Sequence, residues 1–123
     1  MLRLGGSKAA IGTAKEALAR RYLERQGLRL VARNWRCRHG EIDLVMLDRA
    51  GDGELVFVEV RYRRSERFGG ALASVDGHKQ RRLLAAAAQY LQSHPTEHPC
   101  RFDVIAIGDG DAIHWIRSAF DED

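Results

Sequence analysis

Apolar side chains recur along this chain first at helical and then at strand spacing, and each change of period marks an element boundary. Glu16, Ala19 and Leu23 stand at i, i+3 and i+7 in a segment that Ser7 can cap and Gly27 can stop, which predicts a first helix over residues 7–26. Residues 28–36 read as a strand, followed by a turn at 38–40. Residues 41–48 and 54–63 are two further strands, joined as a hairpin by the Gly- and Asp-containing loop 49–53. A loop with Phe68, Gly69 and Gly70 leads to Asp76, a cap for a second helix that runs to Gln92, with Pro95 and Pro99 marking its exit. Residues 101–107 and 112–116 close the chain as strands around a turn at 108–111. The order α-β-β-β-α-β-β predicts an α/β fold, in which an antiparallel meander and a helical crossover build a mixed β-sheet flanked by helices.

Composition narrows the class. With 123 residues, 45% hydrophobic and 30% charged, the chain has material for one packed domain spanning 1–123, and wholesale disorder is excluded. No apolar run approaches the roughly 18 residues of a membrane span. Glycines and polar residues interrupt the N-terminus before a signal-peptide core can form. Cys37 and Cys100 are too few for a disulfide framework and suit a reducing compartment. A soluble cytoplasmic protein with no membrane partner is the expectation. The 20 basic residues outnumber 17 acids, three of which form the tail Asp121, Glu122, Asp123, so the body is more basic than the net +3 suggests. Such a charge suits an anionic polymer, although a solvated Arg-rich surface has the same signature.

The hairpin carries the most specific chemistry. Pairing Asp48 with Glu54 across the five-residue loop sets a register in which Asp43 faces Glu59. That register puts Val45, Leu47, Leu55 and Phe57 on the carboxylate face, and Ile42, Leu44, Met46, Val56, Val58 and Val60 on the other. Two acids opposed on an otherwise buried sheet destabilise it unless something positive lies between them. A divalent cation resolves the conflict, and hard oxygen ligands from Asp43, Glu59 and the Val60 carbonyl suit Mg²⁺ or Mn²⁺. Neutralisation by Arg61 or Arg36 resolves it equally well. Arg61 follows Glu59 by two, so strand alternation points both the same way, and Glu59-Val60-Arg61 reads like the Glu-x-Lys half of a nuclease centre. There a carboxylate pair positions metal and a cation stabilises charge on phosphate.

Glu16 shares its helix stripe with residues that meet the sheet, so it is either a site carboxylate or one end of an exposed pair with Arg20. Lys79 shares a stripe with Leu83 and Ala87, and a cation in a first helical turn opposes the dipole unless an anion is near; snorkelling is the plain alternative. Arg61, Arg63, Arg64, Arg67, Lys79, Arg81 and Arg82 form a basic cluster able to track phosphates, or a solvated helix face. Trp35, Trp115 and Tyr62 read as packing residues. Cys37-x-His39 and His98-x-Cys100 mirror each other, but their spacing is unlike a zinc knuckle.

In order along the chain, Gly12-x-x-x-Glu16, Tyr22-Leu23, Gly27, Asn34-x-Arg36, Gly40-Glu41-Ile42-Asp43-Leu44, Val56-Phe57-Val58-Glu59-Val60-Arg61, Phe68-Gly69, Lys79 and Arg101-Phe102-Asp103-Val104 resemble the YraN family of uncharacterised bacterial proteins. That family is similar in fold to Holliday junction resolvases and PD-(D/E)xK nucleases. The resemblance implies a restriction-endonuclease-like sheet, with Glu16, Asp43 and Glu59 at the acidic positions and Arg61 where Lys is usual. Arginine keeps the charge but is a poor proton carrier. The expected function is Mg²⁺- or Mn²⁺-dependent hydrolysis of structured or branched DNA. A noncatalytic nucleic-acid-binding module and a protein-interaction domain stand as alternatives, and a homodimer is left open.

Overall fold

In the computed structural model the described residues are 8–63, 70 and 73–121. Helix α1 (Lys8–Arg25) is followed by β1 (Leu28–Cys37), β2 (Gly40–Asp48), β3 (Glu54–Tyr62), helix α2 (Gly77–Ser93), β4 (Cys100–Ile107), a 3₁₀ turn (Asp109–Asp111) and β5 (Ile113–Phe120). The five strands lie in the order β1-β2-β3-β4-β5. All neighbours are antiparallel except β3 and β4, which α2 connects in parallel. The sheet is therefore mixed, and the order matches the one read from the periodicities.

Local chemistry accounts for the boundaries. Gly27 takes φ +100 immediately after α1, a left-handed stop that a side chain resists. The Asp76 carboxylate accepts the Lys79 N–H at 3.0 Å and caps α2. The expected cap Ser7 lies outside the described residues.

Helix α1 covers one face of the sheet, where Ala19 and Leu23 pack on Leu44, Met46, Val56, Val58, Ile105 and Ile107. Helix α2 covers the other, where Ala86, Ala87 and Tyr90 pack on Ile42, Val45, Leu55, Phe57 and Phe102. Burying each of the larger side chains is worth about 1.5–3 kcal/mol. Trp35 packs edge-on to Tyr90, and Trp115 edge-on to Tyr22, as packing residues do.

Two expectations change. Ile42 sits on the α2 face with Val45, not with Leu44 and Met46, so the alternation of β2 reverses between Ile42 and Leu44. The cause lies opposite, where Asn34 on the edge strand β1 has φ +52 between the pairs Arg33↔Leu44 and Trp35↔Ile42. Strand β5 extends to Phe120, beyond the expected end at residue 116. Ser118, at φ +50, gives its N–H to the Asp103 carboxylate at a bulge, after which Phe120 pairs with Phe102.

Candidate functional site

The register drawn through Asp48 and Glu54 holds for five pairs, from Asp48↔Glu54 to Leu44↔Val58. Asp43 comes next, and its side chain does the work of a backbone acceptor: Oδ2 takes the Val60 N–H at 2.8 Å. The Asp43 carboxyl group is close enough to Glu59 to raise its proton affinity, and Glu16, on α1, is coupled to Asp43 in the same way. Asp43 thus stands where the pleat reverses, and one carboxylate meets Glu16 from the α1 face and Glu59 from the α2 face.

Both outer acids hold protons unusually tightly. Burial and the nearby Asp43 charge raise Glu59 to about 8 and Glu16 to about 7. Asp43 is raised as well, chiefly by burial, and the Val60 N–H moderates the rise. Two of these groups can therefore exchange a proton near neutral pH.

Two cations meet Glu59. Arg61 Nε lies 3.2 Å and Lys79 Nζ 3.7 Å from the same Glu59 oxygen. Glu16 does not pair with Arg20, which binds Glu24 at 3.1 Å instead. Arg36 pairs with Glu41 at 3.5 Å rather than with Asp43 or Glu59.

The far end of the hairpin supplies a comparison from within the fold. Asp43 and Glu59 are not among the paired residues of the ladder, whereas Asp48 and Glu54 are directly opposed acids, and Arg101, 7% exposed, sits between them at 3.0 and 2.7 Å while binding Asp103 through Nε at 3.1 Å. Burial acts against Asp48, but the Ala50 N–H and the Arg101 guanidinium hold its carboxyl below the ordinary range. Arg101 bridges Asp48 and Glu54, whereas at the other end Arg61 and Lys79 both pair with Glu59 and, among the described residues, no cation pairs with Asp43 or Glu16.

Two residues not singled out from the sequence complete the site. Glu16, Glu41 and Asp43 present oxygens within 4.8 Å of one another. Asn34, with its amide nitrogen turned to the acids, donates to Glu16 at 2.8 Å and Glu41 at 2.9 Å. Both carried a signal: Glu41 stands two residues before Asp43, and asparagine is scarce inside strands but tolerant of positive φ. The donor set is all carboxylate and fits a hard divalent cation. Among the described residues no cysteine or histidine belongs to a comparable cluster, so the Cys-x-His pairs form no metal group there.

The remaining cations divide. Arg63 lines a cleft beside Glu16 and Val60 and donates to the Tyr62 carbonyl at 2.9 Å. Arg81 is exposed on α2, and Arg82 binds the His39 carbonyl at 3.1 Å, fastening the β1–β2 turn to α2. Arg64 and Arg67 lie outside the described residues.

Comparison with known proteins places this arrangement. A family model described as an uncharacterised protein family, UPF0102, matches residues 15–107. The chain belongs to the UPF0102 (YraN) family. A UPF0102 protein of Stutzerimonas stutzeri is 56% identical over 115 residues, covering 89% of this chain and 93% of its own. One of Ralstonia nicotianae is 60% identical, covering 91% and 87%, and one of Pseudomonas fluorescens 51%, covering 96% and 98%. Among solved structures, Pyrococcus furiosus SfsA in complex with Ca²⁺ gives a TM-score of 0.31 at 10% identity, over 89% of this chain and 62% of that one, a likeness too distant to bear on function. The matched UPF0102 segment includes Glu16, Asn34, Glu41, Asp43, Glu59, Arg61 and Lys79. Among the described residues no helix is long and apolar enough to cross a membrane.

Proposed function

We propose that this UPF0102 protein is a Mg²⁺- or Mn²⁺-dependent endonuclease that hydrolyses phosphodiester bonds in structured or branched DNA. One observation carries the reading: Glu16 and Glu59 interact with Asp43 from opposite faces of the sheet, and among the described residues Arg61 and Lys79 pair with Glu59 alone, whereas Arg101 bridges Asp48 and Glu54. Asp43, Glu59 and the Val60 carbonyl are the residues to hold the cation, with Glu16 beside them. When bound, such a cation supplies Lewis acidity to the phosphate and lowers the pKa of an attached water.

The chain's own groups have separate duties. The Val60 N–H fixes the orientation of Asp43. Arg61 and Lys79 orient Glu59 and offer positive charge to a phosphate beside it. Lysine at position 79 is the cation able to move a proton, which an arginine does poorly.

Cleavage of labelled branched DNA with Mg²⁺ and Mn²⁺ tests this. Arg61→Lys should stay within about tenfold of wild type, roughly 1.4 kcal/mol in barrier, because charge is conserved. Lys79→Ala should lose far more, and Glu59→Ala should be inactive. A large gain in Arg61→Lys would show that lysine chemistry is what the site lacks. Equal background in all four proteins would reject hydrolysis. Metal-dependent DNA binding retained in that case would select a noncatalytic module, the second reading, which the arginine at position 61 favours.

A further inference from the structure

We propose that the cleft between α1 and the end of β3 receives the phosphate backbone of a nucleic-acid strand, with Lys15 contacting phosphate and Asp111 holding Lys15 until a strand arrives. The proposal rests on the nuclease reading and deepens it by giving the substrate an entry beside the carboxylates. The cleft, of about 510 Å³, is lined by Gly12, Lys15, Glu16, Val60, Arg61 and Arg63 among others. Three cations thus face it against one acid, and Glu16 and Val60, both bound to Asp43, form its border with the site. A Cβ at Gly12 would meet nothing within 4 Å, so the wall is open there.

Lys15 is half-buried and held by two partners. Its ammonium sits 4.3 Å from the centre of the Tyr62 ring and pairs with Asp111, which lies 96 positions later in the chain. The acid is delivered by the 3₁₀ turn, where Gly110 at φ +68 and Asp111 at φ +61 bend the β4–β5 connection. The Asp111 side chain is 55% exposed against 19% for Lys15, so water screens the pair from the acid's side and a phosphate can displace the acid. Charge-assisted binding of a phosphate oxygen to the freed ammonium replaces the lost pair.

The test is fluorescence anisotropy of a labelled single-stranded oligonucleotide across a salt series, in buffer with Ca²⁺. Lys15→Gln should weaken binding and flatten the salt dependence by about 0.7 in the logarithmic slope, the value of one phosphate contact on a single strand, while Lys15→Arg should restore both. Asp111→Asn keeps a residue that accepts positive φ and should tighten binding about two- to fivefold at low salt, the worth of an exposed ion pair. That gain should vanish in the Lys15→Gln background. Asp109→Asn removes the same charge two residues away and should lack the gain. Wild-type affinity and slope in Lys15→Gln, or an Asp111→Asn gain that survives without Lys15 or is matched by Asp109→Asn, would overturn the proposal while leaving the nuclease reading intact. A wild-type protein that binds no oligonucleotide would also overturn the proposal, while the nuclease reading is decided separately by the branched-DNA cleavage assay.

Discussion

Asn34 occupies a backbone conformation that few side chains accept, and from it one amide bridges Glu16 and Glu41. These two functions separate by mutation. Asn34→Gly keeps the φ but loses the amide, so thermal stability should change little while Mn²⁺ affinity falls by about tenfold or more, as when an orienting partner of a metal ligand is removed. Asn34→Ala should also lose stability, by roughly 1–2 kcal/mol, because its Cβ is strained at positive φ. Equal metal affinity in wild type and Asn34→Gly would reject the orienting role. A second expectation concerns pH. Glu16 and Glu59 have folded-state values of about 7 and about 8 against an ordinary 4.5, so in this window the native state binds more protons than the unfolded chain. Their contribution to stability is full below about 4.5 and is lost as pH rises through about 8. Metal-free protein should therefore melt at progressively lower temperature across that interval. Asp43→Asn should reduce the slope, and a melting temperature independent of pH in wild type would contradict the assigned environment.

At the scale of elements, the β2–β3 hairpin was readable because its loop is short and both strands are apolar on both faces, which leaves one register that buries them. The reversal at Asp43 was hidden, since strict period-two reasoning has no place for a left-handed residue on the neighbouring strand. Asp43, Glu59 and Lys79 were found by periodicity, whereas Asn34 and Glu41 belong to the site through a contact between strands. The extension of β5 likewise depends on a tertiary contact, the Asp103 carboxylate. Asp103 is fully buried and accepts from Arg101, from the Trp115 indole at 2.9 Å and from the Ser118 N–H. Asp103→Ala would leave the Arg101 Nε, the Trp115 indole and the Ser118 N–H without their acceptor, and should destabilise the fold by about 3–5 kcal/mol in urea denaturation. A loss below about 1 kcal/mol would mean that the network relaxes freely once its centre is removed.

Across the whole molecule, the two ends of the β2–β3 hairpin have opposite electrostatic solutions. At the loop end Arg101 closes the opposed acids into a buried network, and this end holds the sheet together. At the other end α1, β2, β3 and α2 deliver Glu16, Asp43, Glu59, Arg61 and Lys79 to one place, leaving carboxylates that repel one another and retain protons. Carboxylates gathered at one spot, where Asp43 raises the proton affinity of Glu16 and Glu59, suit a ligand that brings positive charge. Calorimetric titration of Mn²⁺ into wild type and Asp43→Asn, both confirmed as folded, tests this most directly. The account predicts saturable binding with release of protons in wild type and its loss in Asp43→Asn. Absence of binding to wild type, or the same affinity in both proteins, would contradict it.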